Sequence, residues 1–170
     1  GNKEDYTAYI DEAQQTFRDL GFEIEVLDIA SCDQETAQAK IFQSKILYIS
    51  GGNTFYLLQE LKKKQLLSLI KEQIRDGLVY VGESAGAIIT AKDIDYNKLM
   101  DDKTVATELY DTAGLDEVDF YILPHYGEEP FADSSKKTFE MYKKQLELLP
   151  LHNHQAIIVN DEQIDILTIE

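Results

Sequence analysis

The sequence has no tryptophan, one cysteine, three prolines and only two arginines, Arg18 and Arg75. A lone cysteine, Cys32, cannot close an internal disulfide, so nothing here calls for an oxidising compartment. No apolar run approaches the roughly 20 residues of a bilayer-spanning helix, and no signal-peptide pattern opens the chain. A cytoplasmic protein with no membrane partner is expected. Positive charge is scarce as well: 16 lysines and arginines face 32 aspartates and glutamates, a net charge of −16. Such a surface repels nucleic acid and anionic lipid. What remains is globular in kind, with 44% hydrophobic and 28% charged residues in a length that suits a single domain over 1–170.

The chain is organised around Tyr80-Val81-Gly82-Glu83-Ser84-Ala85-Gly86-Ala87. The apolar run 78–81 predicts a short buried strand, and the small residues 85–91 predict the opening of a helix. Gly82-x-Ser84-x-Gly86 joins them. A serine on so sharp a turn sits in strained backbone, and glycines on both sides leave room for the neighbouring chain. The geometry exposes the hydroxyl above the sheet edge, beside the N–H of Ala85, where an oxyanion would find a donor.

Upstream, Tyr6, Tyr9, Ile10, Ala13, Phe17 and Leu20 recur at helical spacing and Gly21 stops the helix. Phe22 to Ile29 then alternates as a strand near a sheet edge. Ser31 and Gln34 form a capping box ahead of a helix to about Phe42, with Cys32 a small helix-start residue. Residues 46–49 are a continuous β-prone run, expected as a central strand. It ends in Ser50-Gly51-Gly52-Asn53-Thr54, whose free N–H groups are candidate donors to an anion, with Asn53 or Thr54 as helix cap. Helices follow over 55–63 and 66–76, the second stopped by Gly77. Lys62-Lys63-Lys64 reads as a solvated helix end.

Residues 92–103 are polar and aperiodic, a long loop carrying Asp93, Asp95, Asp101 and Asp102. Residues 118–123 form another β-prone run and end in Pro124-His125-Tyr126. A histidine just past a strand end, on the edge that carries Ser84, is where a general base belongs. The order serine, aspartate loop, histidine is also that of a nucleophile, acid and base. A helix over 134–149, ended by Pro150, and a terminal strand pair over 156–159 and 164–169 complete the chain. His152 and His154 lack a third ligand, so no metal is expected.

Strands separated by helices predict a three-layer α/β/α sandwich with a largely parallel sheet. In such sheets ligands bind at the strand carboxyl ends, and the Gly51-Gly52 loop, Ser84 and His125 all fall there.

At Gly51-Gly52-Asn53-Thr54-Phe55, Gly82-Glu83-Ser84-Ala85-Gly86-Ala87 and Pro124-His125-Tyr126, in that order and spacing, the sequence resembles the dipeptidase E and cyanophycinase family of serine peptidases. The resemblance implies a class I glutamine amidotransferase-like (flavodoxin-like) fold, Ser84 as nucleophile, His125 as base and an oxyanion hole from the N–H groups of Gly52 and Ala85. The family's acidic residue lies about midway between serine and histidine, which favours Asp101 or Asp102 over Asp93 or Asp95. Family members start with further strands and a helix upstream, so the chain looks like an N-terminally incomplete copy. Dipeptidase E reads an N-terminal aspartate with an arginine after the histidine. No arginine follows His125 here, and Lys136 and Lys137 are the candidates to replace it. Glu83 is a candidate for the substrate amino group and Asn53 a further candidate contact.

The expectation is therefore a serine peptidase acting on small peptides, with aspartyl dipeptides as one candidate class, through an acyl-enzyme, as a monomer or homodimer with no cofactor. Two rivals share the features: a small-anion-binding module on the same fold, and a small esterase. Hydrogen-bond contact between Ser84 and His125 favours chemistry, and a long gap favours binding.

Overall fold

A computed structural model describes residues 8–161 and 163–169. Tyr6, placed by its spacing in the first helix, lies outside the described residues. Helix α1 spans Ala8–Asp19. Gly21 ends it with φ +88°, and the Phe22 N–H closes on the Phe17 carbonyl at 3.0 Å. The next expectation fails: residues 22–27 join no sheet among the described residues. Their alternation makes them β-prone, but a strand exists only with a ladder partner. Leu27 and Ile29 instead lean on the main core.

Helix α2, Gln34–Gln43, is capped by Asp33 rather than Ser31. The Asp28 carboxylate takes the Ser31 hydroxyl at 2.8 Å and the Ala30 N–H at 3.1 Å, so Ser31 is already spent in a turn. Asp33 accepts from the Thr36 N–H at 2.7 Å, a standard N-cap contact. Strand β1, Ile46–Ile49, leads to α3, Thr54–Lys63, and α4, Leu66–Arg75, and then to β2, Val79–Gly82. The lysine triplet is not simply solvated. Lys62 pairs with Asp111 and Lys63 with Glu108 at 2.5 Å, docking α3 onto the 108–111 segment, while Lys64 pairs with Glu60 of the same helix at 3.3 Å.

Helix α5 is a single turn, Ala85–Ile88, shorter than the small-residue run suggests. The 92–103 loop carries a 3₁₀ turn at Asp95–Leu99, and a second follows at Lys103–Val105. Strand β3, Tyr121–Leu123, precedes α6, Ala132–Tyr142. The expected helix to residue 149 ends seven residues early, because Leu148–Pro150 forms a strand, β4, beside β3. A short apolar stretch suits either element, and here the open edge of β3 decides. The expected terminal pair is present as β5, Gln155–Asn160, and β6, Gln163–Thr168.

Two parallel ladders position everything that follows. β1 pairs with β2, Ile49 opposite Gly82, and β3 pairs with β4, Leu123 opposite Pro150. The main core gathers Phe55 and Leu58 of α3, Leu66 and Ile70 of α4, and Ile89, Ile94 and Leu115. Burying one such side chain contributes about 1.5–3 kcal/mol. A smaller cluster of Phe120, Ile122 and Leu151 lies under β5 through Ile157. Among the described residues no helix is long and apolar enough to cross a membrane.

Candidate active site

Parallel, in-register strands deliver their following loops side by side. Because Ile49 faces Gly82, the Ser50–Thr54 loop and Ser84 emerge together, and a Cβ built on Gly51 would lie 3.4 Å from the Ser84 Cβ. Because Leu123 faces Pro150, His125 and the 152–154 segment emerge together, tied by the Tyr126 N–H to the Leu151 carbonyl at 2.9 Å.

Ser84 has φ +48° and ψ −108°, a conformation that costs a non-glycine residue of order 1–3 kcal/mol and persists only under external constraint. The constraint is close packing. A Cβ on Gly86 would sit 2.1 Å from the Ile49 carbonyl oxygen, and one on Gly82 would sit 2.6 Å from the Gly86 backbone. Both glycines are needed for β2 and the turn to pass each other at this separation.

Ser84 Oγ lies 3.0 Å from His125 Nε2, and His125 Nδ1 lies 2.7 Å from Asn153 Oδ1. With the asparagine oxygen accepting from Nδ1–H, Nε2 carries the lone pair that faces the serine hydroxyl. The imidazole is further fixed by stacking on Phe131, with ring centroids 5.0 Å apart and an interplanar angle of 23°. His125 itself has φ +56°. No other described group takes the N–H of Gly52 or of Ala85.

The aspartates go elsewhere, which corrects the expectation that Asp101 or Asp102 holds the imidazole. Asp101 Oδ2 accepts from the Thr54 N–H at 2.8 Å, the Thr54 hydroxyl at 2.5 Å and Asn97 Nδ2 at 2.9 Å. Burial pushes the Asp101 carboxyl above the usual carboxylate range, against the pull of those donors and of nearby His125. Asp102 is exposed and caps its own 3₁₀ turn, accepting from the Thr104 N–H at 2.8 Å. Both carboxylates have nearer donors, and the imidazole N–H finds an oxygen from the β4 side first.

The other candidates divide. Asn53 caps α3 by accepting from the Tyr56 N–H at 3.0 Å and donates Nδ2 to the Asp102 carbonyl at 2.9 Å, so both ends of its amide are engaged within the protein. Glu83 accepts a hydrogen bond from the Tyr48 hydroxyl. Burial, reinforced by Glu83, pushes that phenol's pKa up. The Lys136 Cε lies 3.6 Å from where a Cβ on Gly127 would stand, and the residue is exposed without an ion pair among the described residues. Lys137 is exposed one position further along α6. No group of three His, Cys, Asp or Glu is placed to hold a metal ion among the described residues.

Asn153, Phe131 and Tyr48 are functional neighbours that the sequence motifs do not mark. A signal for Asn153 exists: it stands just past a strand end, three residues beyond Pro150, as His125 stands two beyond Leu123, but it becomes visible only once β4 is recognised as a strand.

A serine on a strained strand-to-helix turn, in hydrogen-bond contact with a histidine delivered by a neighbouring parallel pair, belongs to a serine-type hydrolase built on an α/β sandwich. The particular family follows from residues 1–167, which match Peptidase family S51; the chain belongs to that family of serine peptidases. It is 42% identical to an uncharacterised peptidase of Pasteurella multocida (strain Pm70) over 159 residues, which is 94% of this chain and 77% of the relative. Over 121 residues, 71% of this chain and 47% of the relative, it is 30% identical to peptidase E of Nostoc sp.. A 1.5 Å crystal structure of a candidate peptidase E protein from Listeria monocytogenes EGD-e superposes with a TM-score of 0.92 at 35% identity, covering 98% of this chain and 81% of that one. The fold is accordingly the class I glutamine amidotransferase-like, flavodoxin-like sandwich.

Proposed function

We propose that the protein hydrolyses small peptides through an acyl-enzyme on Ser84. The observation that carries this is the continuous contact Ser84 Oγ to His125 Nε2 at 3.0 Å and His125 Nδ1 to Asn153 Oδ1 at 2.7 Å. His125 Nε2 takes the hydroxyl proton as Ser84 Oγ attacks the scissile carbonyl, and returns it to the leaving amine. The tetrahedral oxyanion is met by the N–H groups of Gly52 and Ala85, and water then releases the acyl group by the same steps in reverse. Asn153 holds the tautomer that leaves Nε2 basic. It brings no charge to offset the imidazolium, unlike a carboxylate in that position.

For substrate, Glu83 beside the nucleophile suits a free amino group, and Lys136, exposed and without an ion pair among the described residues, suits a carboxylate. Together they favour a short peptide with both ends free, aspartyl dipeptides being one class to try. The reading is of a cytoplasmic enzyme, monomer or homodimer, that needs no cofactor. The non-catalytic anion-binding alternative loses ground because it calls for a long gap between Ser84 and His125, and the esterase alternative because the family is one of peptidases.

The test is a pooled dipeptide library with N-terminal Asp, β-aspartyl and neutral members, incubated with the protein and with Ser84→Ala and followed by mass spectrometry. Loss of dipeptides with the wild type alone is expected. An intact pool with both proteins would sink the peptide-hydrolysis reading.

A further inference from the structure

The carboxylate at position 101 has no part in the proton path described above, yet it ties together more of the site than any other side chain. Its Oδ2 takes the first N–H of α3 and the hydroxyl of Thr54, at 2.8 and 2.5 Å. Asn97 Nδ2 lies across both, 2.9 Å from Asp101 Oδ2 and 3.1 Å from Thr54 Oγ1. Thr54 and Asn97 are fully buried. Asn97 spends its amide nitrogen here although its Oδ1 then has no partner among the described residues, because the reverse orientation would set two acceptors against each other. A second tie lies one residue away on each side, Asn53 Nδ2 to the Asp102 carbonyl at 2.9 Å. Both ties act on the segment that directly follows Gly51 and Gly52, the loop that runs beside Ser84.

We propose that Asp101 is a positioning residue for the oxyanion loop: it clamps Thr54, and through Thr54 sets where the Gly52 N–H points relative to Ser84. This rests on the reading of Gly52 as an oxyanion donor. A preorganised donor is worth about 10²- to 10³-fold in rate, so a clamp that fixes its direction controls a comparable factor. The clamp needs an acceptor oxygen at one point and does not need a charge. A residue that stabilised the imidazolium would need the charge.

That difference sets the experiment, which requires no knowledge of the natural substrate. Labelling of Ser84 by a fluorophosphonate probe is followed over pH for wild type, Asp101→Asn, Asp101→Ala and Thr54→Val. Asp101→Asn keeps an oxygen for Thr54 and Asn97, and its labelling rate is expected within about threefold of wild type, the scale of a sub-kcal/mol change. Asp101→Ala is expected to lose about 10²-fold in the maximal labelling rate, with probe affinity and the acid limb of the pH profile unchanged. Thr54→Val removes one of the two bonds and is expected to fall between them, keeping the test informative if Asp101→Ala does not fold. If Asp101→Asn loses as much as Asp101→Ala and its acid limb moves to lower pH, Asp101 acts on His125 by charge and the clamp is wrong. Wild-type labelling with equal rates in all variants also overturns it. Absence of labelling in wild type would instead overturn the serine mechanism itself.

Folding supplies a separate readout. The Asp101 carboxyl is raised in the folded state, so its contribution to stability is full below its unfolded value and is lost as pH rises through the folded value. Asp101→Asn is therefore expected to melt no lower than wild type at neutral pH, an advantage that fades as the solution is acidified.

Discussion

Asn153 places an uncharged oxygen against the imidazole, and single substitutions there separate orientation from charge. Asn153→Ala removes a hydrogen bond that becomes charge-assisted when His125 is protonated. At about 1.5–3 kcal/mol and 1.36 kcal/mol per decade, kcat falls about 10- to 150-fold. Asn153→Asp keeps the bond and adds a carboxylate 2.7 Å from the ring. A neighbouring opposite charge favours the imidazolium by roughly one pH unit or more, so the acid limb of kcat/KM moves to higher pH by about that amount. A limb that stays in place would mean that this contact is not made in the working enzyme. Gly86 tests the turn rather than the chemistry. With a Cβ only 2.1 Å from the Ile49 carbonyl oxygen, Gly86→Ala must push β1 and the turn apart. A loss of about 3 kcal/mol in denaturant unfolding, the upper end for overpacking, is expected along with loss of Ser84 labelling.

Among the elements, the 3₁₀ turn Asp95–Leu99 is anchored by its buried Tyr96 and Asn97 and braced by charge at its exposed start. Lys103 and then Lys98 keep the Asp95 carboxyl below the usual carboxylate range, at 2.8 and 2.7 Å. A carboxylate depressed in the folded state contributes stability above its unfolded value and loses it as pH falls through the folded one. The groups are well exposed, so the contribution is at most about 1 kcal/mol. Asp95→Asn should lower the melting temperature slightly at neutral pH, by the equivalent of at most about 1 kcal/mol, and converge with wild type as pH falls through the folded value of Asp95; a profile identical to wild type at neutral pH would show that the ion pairs do not form in solution. The same scale explains why some elements are readable from sequence and others are not. Helices α3 and α4 show their apolar face in the spacing and their end in Gly77. Residues 22–29 and 146–151 are both apolar enough to be strands, and only the available partner separates them: β3 offers an edge to Leu148–Pro150, and no described residue offers one to 22–27.

For the whole molecule the governing feature is its own charge. With 32 acidic against 16 basic residues, self-repulsion opposes the compact state. Raising ionic strength from about 0.01 to about 0.15 M shortens the screening length from about 30 to about 8 Å. Several of the lysines already sit in ion pairs at helix α3 and the Asp95 turn, so what is left to screen is mainly negative. The melting temperature should rise with salt by at least about 2 °C, the equivalent of roughly 0.5–1 kcal/mol at this size. A fall would mean that the ion pairs outweigh the repulsion.

The alternation of strands and helices, the glycines that the elbow requires, and the loops that end in Ser84 and His125 are all legible along the chain. These are local matters, settled by spacing, turn chemistry and the small set of residues that tolerate close approach. Which side chain faces His125 Nδ1 is settled by long-range packing instead. That depends on β4 pairing beside β3, a contact between segments about 27 residues apart that no local pattern encodes. The same holds for Asp101: its place in the chain suggested a partner for the histidine, and the packing of the 95–105 segment against the start of α3 gave it Thr54 instead.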